Sequence, residues 1–261
     1  MRRERAPAWI AILAAIGAAF FIVPLLGLLV RTPWGDALHA LTSPDTLNAL
    51  RLSLVASLSS TAVALLLGVP LAWMYARIEF PGRDVVRALT TLPMVLPPVV
   101  GGIALLLAFG RRGLVGSWLD TTFGITLPFT TLGVVFAETF VAMPFLVLTV
   151  EAGLRSMDRR YEEAARALGA RRWTVFTRVT LPLIAPSLTA GAVLCWARAL
   201  GEFGATITFA GNFPGVTQTM PLAVYLLLET NPEGSYLLSL LLLLVSLVVL
   251  VGLRHRWLGS A

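Results

Sequence analysis

Long apolar stretches separated by short polar segments dominate the sequence. Six of these stretches are long enough to be membrane spans, since a bilayer core about 30 Å thick requires about 20 apolar residues of helix. They cover residues 9–30, 53–73, 85–108, 132–150, 186–204 and 236–253. None shows the alternation that is typical of a membrane β-barrel, so helices remain as the spanning elements. The pattern therefore predicts an all-α integral membrane protein with six transmembrane helices.

Composition supports this prediction and excludes other classes. Of the 261 residues, 57% are hydrophobic and 13% are charged, whereas soluble domains carry about 25% charged residues. The single cysteine, Cys195, and the two histidines have no ligand or nucleophile spacing around them, so we expect no metal site and no catalytic residues. The net charge of +6 does not indicate nucleic acid binding, because all 20 basic residues are arginines and most flank apolar runs.

The arginines also predict the orientation of the helices. With the N-terminus inside, fifteen arginines fall in cytoplasmic segments and four fall outside. Because cytoplasmic segments are enriched in basic residues, we expect both termini in the cytoplasm, with Arg111 and Arg112 as a local exception. The first run follows Arg2, Arg3 and Arg5 in the manner of a secretory signal. It exceeds the about 7–15 apolar residues of such a signal, so we expect residues 1–30 to form a retained helix.

Prolines interrupt the third apolar run. Pro93, Pro97 and Pro98 each remove a helical hydrogen bond and crowd the preceding turn. The freed carbonyls must then find a neighbouring helix or water. Two interpretations stay open at this stage: a kink that serves packing, or a break that lines a pathway.

The longest cytoplasmic segment contains a predicted helix of its own. Asp158 is a suitable N-cap, and Gly169 is a natural helix stop. The alanines at positions 164, 165 and 167 give this helix a surface of low relief. Such a helix either seats in a groove on another protein or lies at the membrane surface, and a second helical piece is expected to lead to Leu181 and Pro182.

The same segment resembles the EAA loop of ABC importer permeases. The order, the spacing and the position between two spans all fit, with valine at position 179 where isoleucine is more usual. The residues that carry the resemblance are Glu163, Ala164, Ala165, Gly169, Val179, Leu181 and Pro182. The resemblance covers about residues 45–255, which predicts a permease domain there, with a coupling loop at about 156–181, preceded by the helix of residues 1–30.

The resemblance implies a machine of several subunits. In that family, two membrane subunits form a dimer, and the EAA helix of each docks in a cleft on a separate ATPase. By this likeness Glu163 meets the ATPase, Ala164 and Ala165 allow close packing, and Gly169 permits the turn. The chain has no lysine and therefore no phosphate-binding G-x-x-x-x-G-K-[ST] sequence. We thus expect ATP and Mg²⁺ on two partner ATPase subunits, no cofactor in this chain, and a homodimer.

Charged and hydroxyl side chains lie in and after the fifth run. Arg198 and Glu202 are four residues apart and can pair on one helix face, while Glu138 in the fourth run is a second potential partner for Arg198. Charges within a span usually face a bundle interior or a wet cavity, so these residues either fix packing, line the translocation path or form a dimer contact. Thr206 and Thr208 add neutral donors, which suit the passage of an oxyanion.

Residues 198–221 resemble a particular subgroup of these permeases. Residues 198–205 are similar to the permeases of sulfate and molybdate importers, and residues 206–221 are more similar to those of molybdate importers. The resemblance implies a type I ABC importer permease fold in a bacterial or archaeal cytoplasmic membrane. It also implies ATP-driven import of molybdate, and of the similar tungstate, delivered by an extracytoplasmic oxyanion-binding protein. Sulfate or thiosulfate is the alternative cargo. A secondary transporter, with Glu138 or Glu202 at a coupling site, is the alternative of a different class.

Overall fold

The computed structural model describes residues 7–258, and every regular element in that range is helical. We number the α-helices in chain order. They are α1 (Ala8–Arg31), α2 (Ala37–Thr42), α3 (Pro44–Arg77), α4 (Arg83–Thr91), α5 (Pro98–Phe109), α6 (Gly116–Phe123), α7 (Thr131–Ser156), α8 (Arg160–Ala167), α9 (Arg172–Val175), α10 (Leu181–Leu183), α11 (Ala185–Leu200), α12 (Gly204–Phe209), α13 (Met220–Thr230) and α14 (Pro232–Leu258). Short 3-10 turns occupy Trp34–Asp36 and Leu92–Met94, and a π-helical turn occupies Phe176–Thr180.

Four of the helices are each long and apolar enough to cross a membrane: α1, α3, α7 and α14. Two bent pairs add a fifth and a sixth span, namely α4 with α5 and the segment Arg172–Leu183 with α11. The prediction of six transmembrane helices is therefore confirmed when each pair counts as one span. The arginines at positions 2, 3 and 5 lie outside the described residues, and the cytoplasmic location of both termini stays a prediction.

The third predicted span, residues 85–108, is wrong as a single continuous helix. The chain bends by 120° between the segment Arg83–Met94 and α5. Pro97 is the N-cap of α5 and Pro98 occupies its first turn, where the missing N–H costs nothing. The prolines therefore lie where one helix ends and another begins, so the run is broken rather than kinked, and a role of this break in lining a pathway stays a prediction.

The fifth predicted span, residues 186–204, is too long at its C-terminal end. Helix α11 stops at Leu200, and α12 begins after a short break at Gly204. The chain also bends by 73° before α11. Helix α13 was not predicted, because its 11 residues are too few for a span.

The core forms where α3, α7 and α11 pack against one another. Small residues on α3 permit this close approach, as is usual in membrane bundles. Ala64 and Ala72 are buried there against Leu146 and Leu154 of α7. Helix α1, in contrast, has no buried residue and lies at the periphery.

Helix α12, which follows the second broken span, packs against α5 of the first. A Cβ atom added at Gly102 of α5 would lie 2.9 Å from the Ala205 carbonyl oxygen and would collide with the Thr208 side chain. Glycine at this position is therefore what allows α12 to approach α5.

Candidate functional site

Helix α8 ends at the predicted glycine, but its N-cap is Arg159, directly after the predicted Asp158. The backbone N–H of Arg160 donates to Oδ1 of Asp158 at 2.9 Å. Gly169 follows the helix with φ +83°, in the left-handed region that favours glycine. Its N–H donates to the Arg166 carbonyl at 2.9 Å, and the N–H of Ala170 donates to the Ala165 carbonyl at 3.0 Å. The predicted glycine stop is thus confirmed.

One face of α8 points away from the rest of the chain. Glu163 and Ala164 are exposed, and Ala165 is half-buried. Tyr161 is 59% exposed and Leu168 is 89% exposed. The predicted coupling residues thus lie on a surface that another protein can reach, and their role in coupling stays a prediction.

Glu162 holds the opposite face of α8 and was not singled out from the sequence. It is 4% exposed, and its Oε1 accepts a hydrogen bond from Oγ1 of Thr180 at 2.7 Å. Its Oε2 lies 3.4 Å from Nε of Arg77 and 3.8 Å from Nη2 of Arg166. One carboxylate therefore connects α8 to the C-terminal end of α3 and to the π-helical turn before α10.

Arginines from α7 and from the start of the coupling loop bind the same end of α3. Arg155 Nη2 donates to the Tyr75 carbonyl at 3.4 Å, and Arg159 Nη2 donates to the Ala76 carbonyl at 3.1 Å. The last carbonyls of a helix lack intrahelical partners and carry its negative dipole end, so cations stabilise them.

The buried Glu151 on α7 extends these contacts to α4. Its Oε1 lies 2.8 Å from Nη2 of Arg155, and its Oε2 lies 3.1 Å from Nε of Arg87. Tyr75 and Thr90 also share a hydrogen bond of 2.7 Å. Helices α3, α4, α7 and α8 therefore meet through polar contacts at one end of the bundle.

Leu181 and Pro182 close the predicted coupling segment. They form α10 directly after the π-helical turn, and Leu181 packs at the edge of the core between α3, α7 and α11. The chain then bends into α11. The segment Arg172–Leu183 therefore connects the turn after α8 to the spanning helix α11.

Arg198 pairs with Glu202 in the structure. Arg198 Nη1 lies 2.6 Å from Oε2 of Glu202, and Oε1 of Glu202 accepts a hydrogen bond from the Ala205 N–H at 2.8 Å. Glu202 therefore also satisfies a free donor in the first turn of α12. Glu138 is 1% exposed, and among residues 7–258 its Oε2 has no hydrogen-bond partner.

The five residues predicted for the translocation path differ in accessibility. Glu138, Glu202 and Thr206 are buried within the single chain, whereas Arg198 and Thr208 keep exposed surface. The Thr208 hydroxyl donates to the Gly204 carbonyl at 2.8 Å. The structure thus brings Arg198, Glu202, Thr206 and Thr208 together around α12, and a role in translocation stays a prediction for all five.

Arg111, one of the two arginines that do not fit the predicted orientation, forms an ion pair in the structure. Arg111 Nε donates to Oδ2 of Asp120 at 3.1 Å, and the Thr126 hydroxyl donates to Oδ1 at 2.9 Å. These two hydrogen bonds, that of Thr126 first, lower the pKa of Asp120. Arg111 is therefore paired, and Arg112 beside it is exposed.

Six potential spans, two of them broken, and an exposed helix between the fourth and fifth spans are the architecture of a multi-pass membrane protein. The chain belongs to the family described as binding-protein-dependent transport system inner membrane component, whose model matches residues 64–259. It is therefore a multi-pass protein of the cytoplasmic membrane.

Individual relatives carry more specific names. The chain is 47% identical to the molybdenum transport system permease protein ModB of Mycobacterium tuberculosis over 96% of this chain and 94% of the relative. It is 36% identical to the sulfate transport system permease protein CysT of Escherichia coli over 85% of this chain and 81% of the relative.

Solved structures agree on the fold. A bacterial ABC transporter involved in the import of the acidic polysaccharide alginate matches with a TM-score of 0.73 and 19% identity, covering 97% of this chain and 95% of that one. A complex of the bacterial alginate ABC transporter with a periplasmic protein bound to alginate pentasaccharide matches with a TM-score of 0.71 and 18% identity, covering 95% and 93%. The chain thus has the type I ABC importer permease fold.

Proposed function

We propose that this chain is the membrane-spanning subunit of an ATP-driven importer of molybdate. The observation that carries the proposal is the 47% identity to a molybdenum permease over 96% of the chain. The sulfate permease CysT is less similar, at 36% over 85% of the chain, so sulfate or thiosulfate is the less favoured cargo. Tungstate has nearly the same size and charge as molybdate and would share its path.

The complete importer would contain two copies of this chain, two ATPase subunits and an extracytoplasmic oxyanion-binding protein. The relative solved with a periplasmic protein supports the last of these. The chain has no lysine and hence no phosphate-binding G-x-x-x-x-G-K-[ST] sequence. ATP and Mg²⁺ would therefore be bound by the partner ATPase.

The exposed face of α8 would dock on that ATPase. Glu163 would contact the ATPase surface, and Ala164 with Ala165 would let the two backbones approach closely. Gly169 would permit the turn directly after the helix. Glycine adopts its φ of +83° without strain, whereas a residue with a Cβ atom would be strained there.

The buried face of α8 would transmit the movement. Glu162 contacts Arg77 at the end of α3 and Thr180 before α10. A shift of α8 would therefore act on α3 through the first contact and on α11 through the second. Because packed elements shift as units rather than deforming continuously, small movements at the ATPase would become a change of access across the membrane.

The broken spans supply groups suited to an oxyanion path. Arg198 and Thr208 keep exposed surface beside the break between α11 and α12. The negative charge of Glu202 balances Arg198, so an anion passing there would meet hydrogen-bond donors without a strong positive trap.

Uptake into proteoliposomes tests the proposal. The vesicles would contain this chain, its ATPase and its binding protein, with labelled molybdate outside and ATP inside. We expect ATP-dependent uptake that excess sulfate does not suppress. Suppression by sulfate would favour the sulfate importer, and uptake that persists without ATP would indicate a secondary transporter.

A further inference from the structure

A cavity with a strongly basic lining lies between α8 and the end of α3. Its volume is about 320 Å³, and four arginines line it together with Glu162 and Glu163. The arginines are Arg77, Arg159, Arg166 and Arg172. The lining therefore carries two more positive than negative side chains, which favours an anion.

Arg77 is the buried component of this lining. Its side chain is 7% exposed, and within the described part of the chain neither its Nε nor its Nη2 donates a hydrogen bond. The Glu162 carboxylate balances its charge from 3.4 Å without a hydrogen bond. Since buried donors are normally paired, Arg77 has hydrogen-bonding capacity left for a group that enters the cavity.

An apolar groove adjoins the basic cavity. Its volume is about 410 Å³, and Pro70, Trp73, Met74, Trp173 and Phe176 provide its apolar wall. Trp73, Phe176 and Arg172 line both spaces, so the groove and the cavity lie side by side and share one wall.

Beyond the groove, α3 presents an exposed apolar face. Leu66, Pro70 and Met74 are exposed and spaced by four residues, which places them on one side of the helix. Leu66 is 72% exposed and Trp173 is 73% exposed. Tryptophans with an amphipathic ring prefer the level of the lipid headgroups, and both the groove and the end of α3 are expected at that level on the cytoplasmic side.

We propose that this composite site binds one anionic phospholipid, with its phosphate in the arginine-lined cavity and an acyl chain in the groove. A phosphate matches the guanidinium donors and the excess positive charge. Basic pockets at the cytoplasmic ends of membrane helices are suited to anionic headgroups. The apolar groove distinguishes a lipid from free phosphate, which has no chain to cover Trp73 and Trp173. The proposal does not depend on which oxyanion the importer carries.

Quenching of tryptophan fluorescence by brominated lipids tests the proposal. The full chain would be placed in nanodiscs of phosphatidylcholine that contain increasing amounts of brominated phosphatidylglycerol, with brominated phosphatidylcholine in a parallel series. The Trp173→Phe variant identifies the part of the quenching that comes from Trp173 in the groove. We expect groove quenching to saturate at low mole fractions of phosphatidylglycerol and to rise only in proportion to the mole fraction of phosphatidylcholine.

Two neighbouring arginines provide a matched pair of variants. Arg172 lines the cavity and Arg171 does not, although both are exposed. Arg172→Gln is expected to weaken phosphatidylglycerol binding about tenfold, as for loss of one charge-assisted contact. Arg171→Gln should change it less than about twofold, because screened surface charges contribute little. Because both positions are exposed, the comparison does not depend on whether a variant of the buried Arg77 folds.

Three outcomes would overturn the proposal. Equal losses in Arg171→Gln and Arg172→Gln would mean general attraction to an anionic surface. Displacement of phosphatidylglycerol by inorganic phosphate or glycerophosphate would mean a phosphate site that needs no lipid. Loss of the groove quenching when the ATPase is added would mean that the ATPase, rather than lipid, fills the cavity in the assembled importer.

Discussion

Replacing Glu162 should detach α8 from the membrane domain, whereas replacing Glu163 should not. The two residues are adjacent on one helix and differ in their surroundings. Glu162 is buried against Arg77 and Thr180, and Glu163 is exposed. The pair therefore separates the attachment of α8 to its own chain from its predicted contact with the ATPase.

The structure gives the size of the effect. Glu162→Ala leaves the Arg77 guanidinium buried without a counter-ion, and breaking such a pair typically costs about 3–5 kcal/mol. The hydrogen bond from Thr180 to the carboxylate contributes about 1.5–3 kcal/mol, and the two terms overlap because they share one carboxylate. Since 1.4 kcal/mol changes an equilibrium constant by a factor of about ten, the equilibrium constant for opening of α8 should rise at least about 100-fold. The rise ends when α8 is undocked most of the time.

Hydrogen exchange of the amides in α8 measures this opening directly, since exchange from local openings reports their free energy. We expect faster exchange across Arg160–Ala167 in Glu162→Ala and wild-type exchange in Glu163→Ala. Glu162→Gln should be intermediate, because the amide still accepts from Thr180 but no longer neutralises Arg77. Reconstituted with its ATPase, the Glu162→Ala variant should hydrolyse ATP while molybdate uptake falls.

Equal exchange in the two alanine variants would refute the reasoning, because it would mean that the Glu162 contacts do not hold α8. A variant of Glu79 serves as a further control. Glu79 is exposed and follows Ile78, the C-cap of α3, so Glu79→Ala removes a nearby negative charge without touching α8.

Three further predictions concern the coupling loop, the broken spans and the loop after α5. The double variant Glu163→Ala, Gly169→Ala should insert normally but hydrolyse ATP without uptake, and normal uptake would contradict docking. Gly102→Val should abolish uptake at normal expression, because the added atoms force α12 away from α5; disulfide trapping between the two helices measures that separation. The lowered pKa of Asp120, caused by its hydrogen bonds from Thr126 and Arg111, means that its ionised form stabilises the loop above the unfolded pKa. This stabilisation is lost as pH falls through the folded pKa. At neutral pH, the amides of Gly116–Phe123 should therefore exchange more slowly in wild type than in Asp120→Asn measured at the same pH. This difference should disappear in acid, and a difference that stays constant with pH would contradict the reasoning.

The long spans and the coupling helix could be predicted because local sequence decides them. An apolar run of about 20 residues has few alternatives to a membrane helix. Helix α8 begins beside Asp158, whose carboxylate accepts a hydrogen bond from the Arg160 N–H, and stops before Gly169, so its bounds depend on neighbouring residues alone. The positions of the exposed EAA residues follow from the same local pattern.

The bends and the buried charges could not be predicted because they depend on distant residues. Three prolines indicate that the third run is interrupted, but the 120° bend depends on how α5 packs against α12. Likewise, Glu138 and Glu202 were equal candidates to pair with Arg198 until the break after α11 placed Glu202 beside it. Glu162 resembled Glu163 in the sequence, and only the position of the end of α3 shows which of them is buried.

Arg77 connects the proposed coupling contact with the proposed lipid site. Its guanidinium faces the Glu162 carboxylate on one side and lines the basic cavity on the other. An ion pair at 3.4 Å without a hydrogen bond leaves this guanidinium able to reorient toward a stronger acceptor. A phosphate in the cavity would draw Arg77 away from Glu162 or bridge it to Arg166, and either change alters how firmly α8 is held to α3. The lipid around the importer would therefore act on the same contact through which movement of the ATPase is proposed to reach the membrane helices.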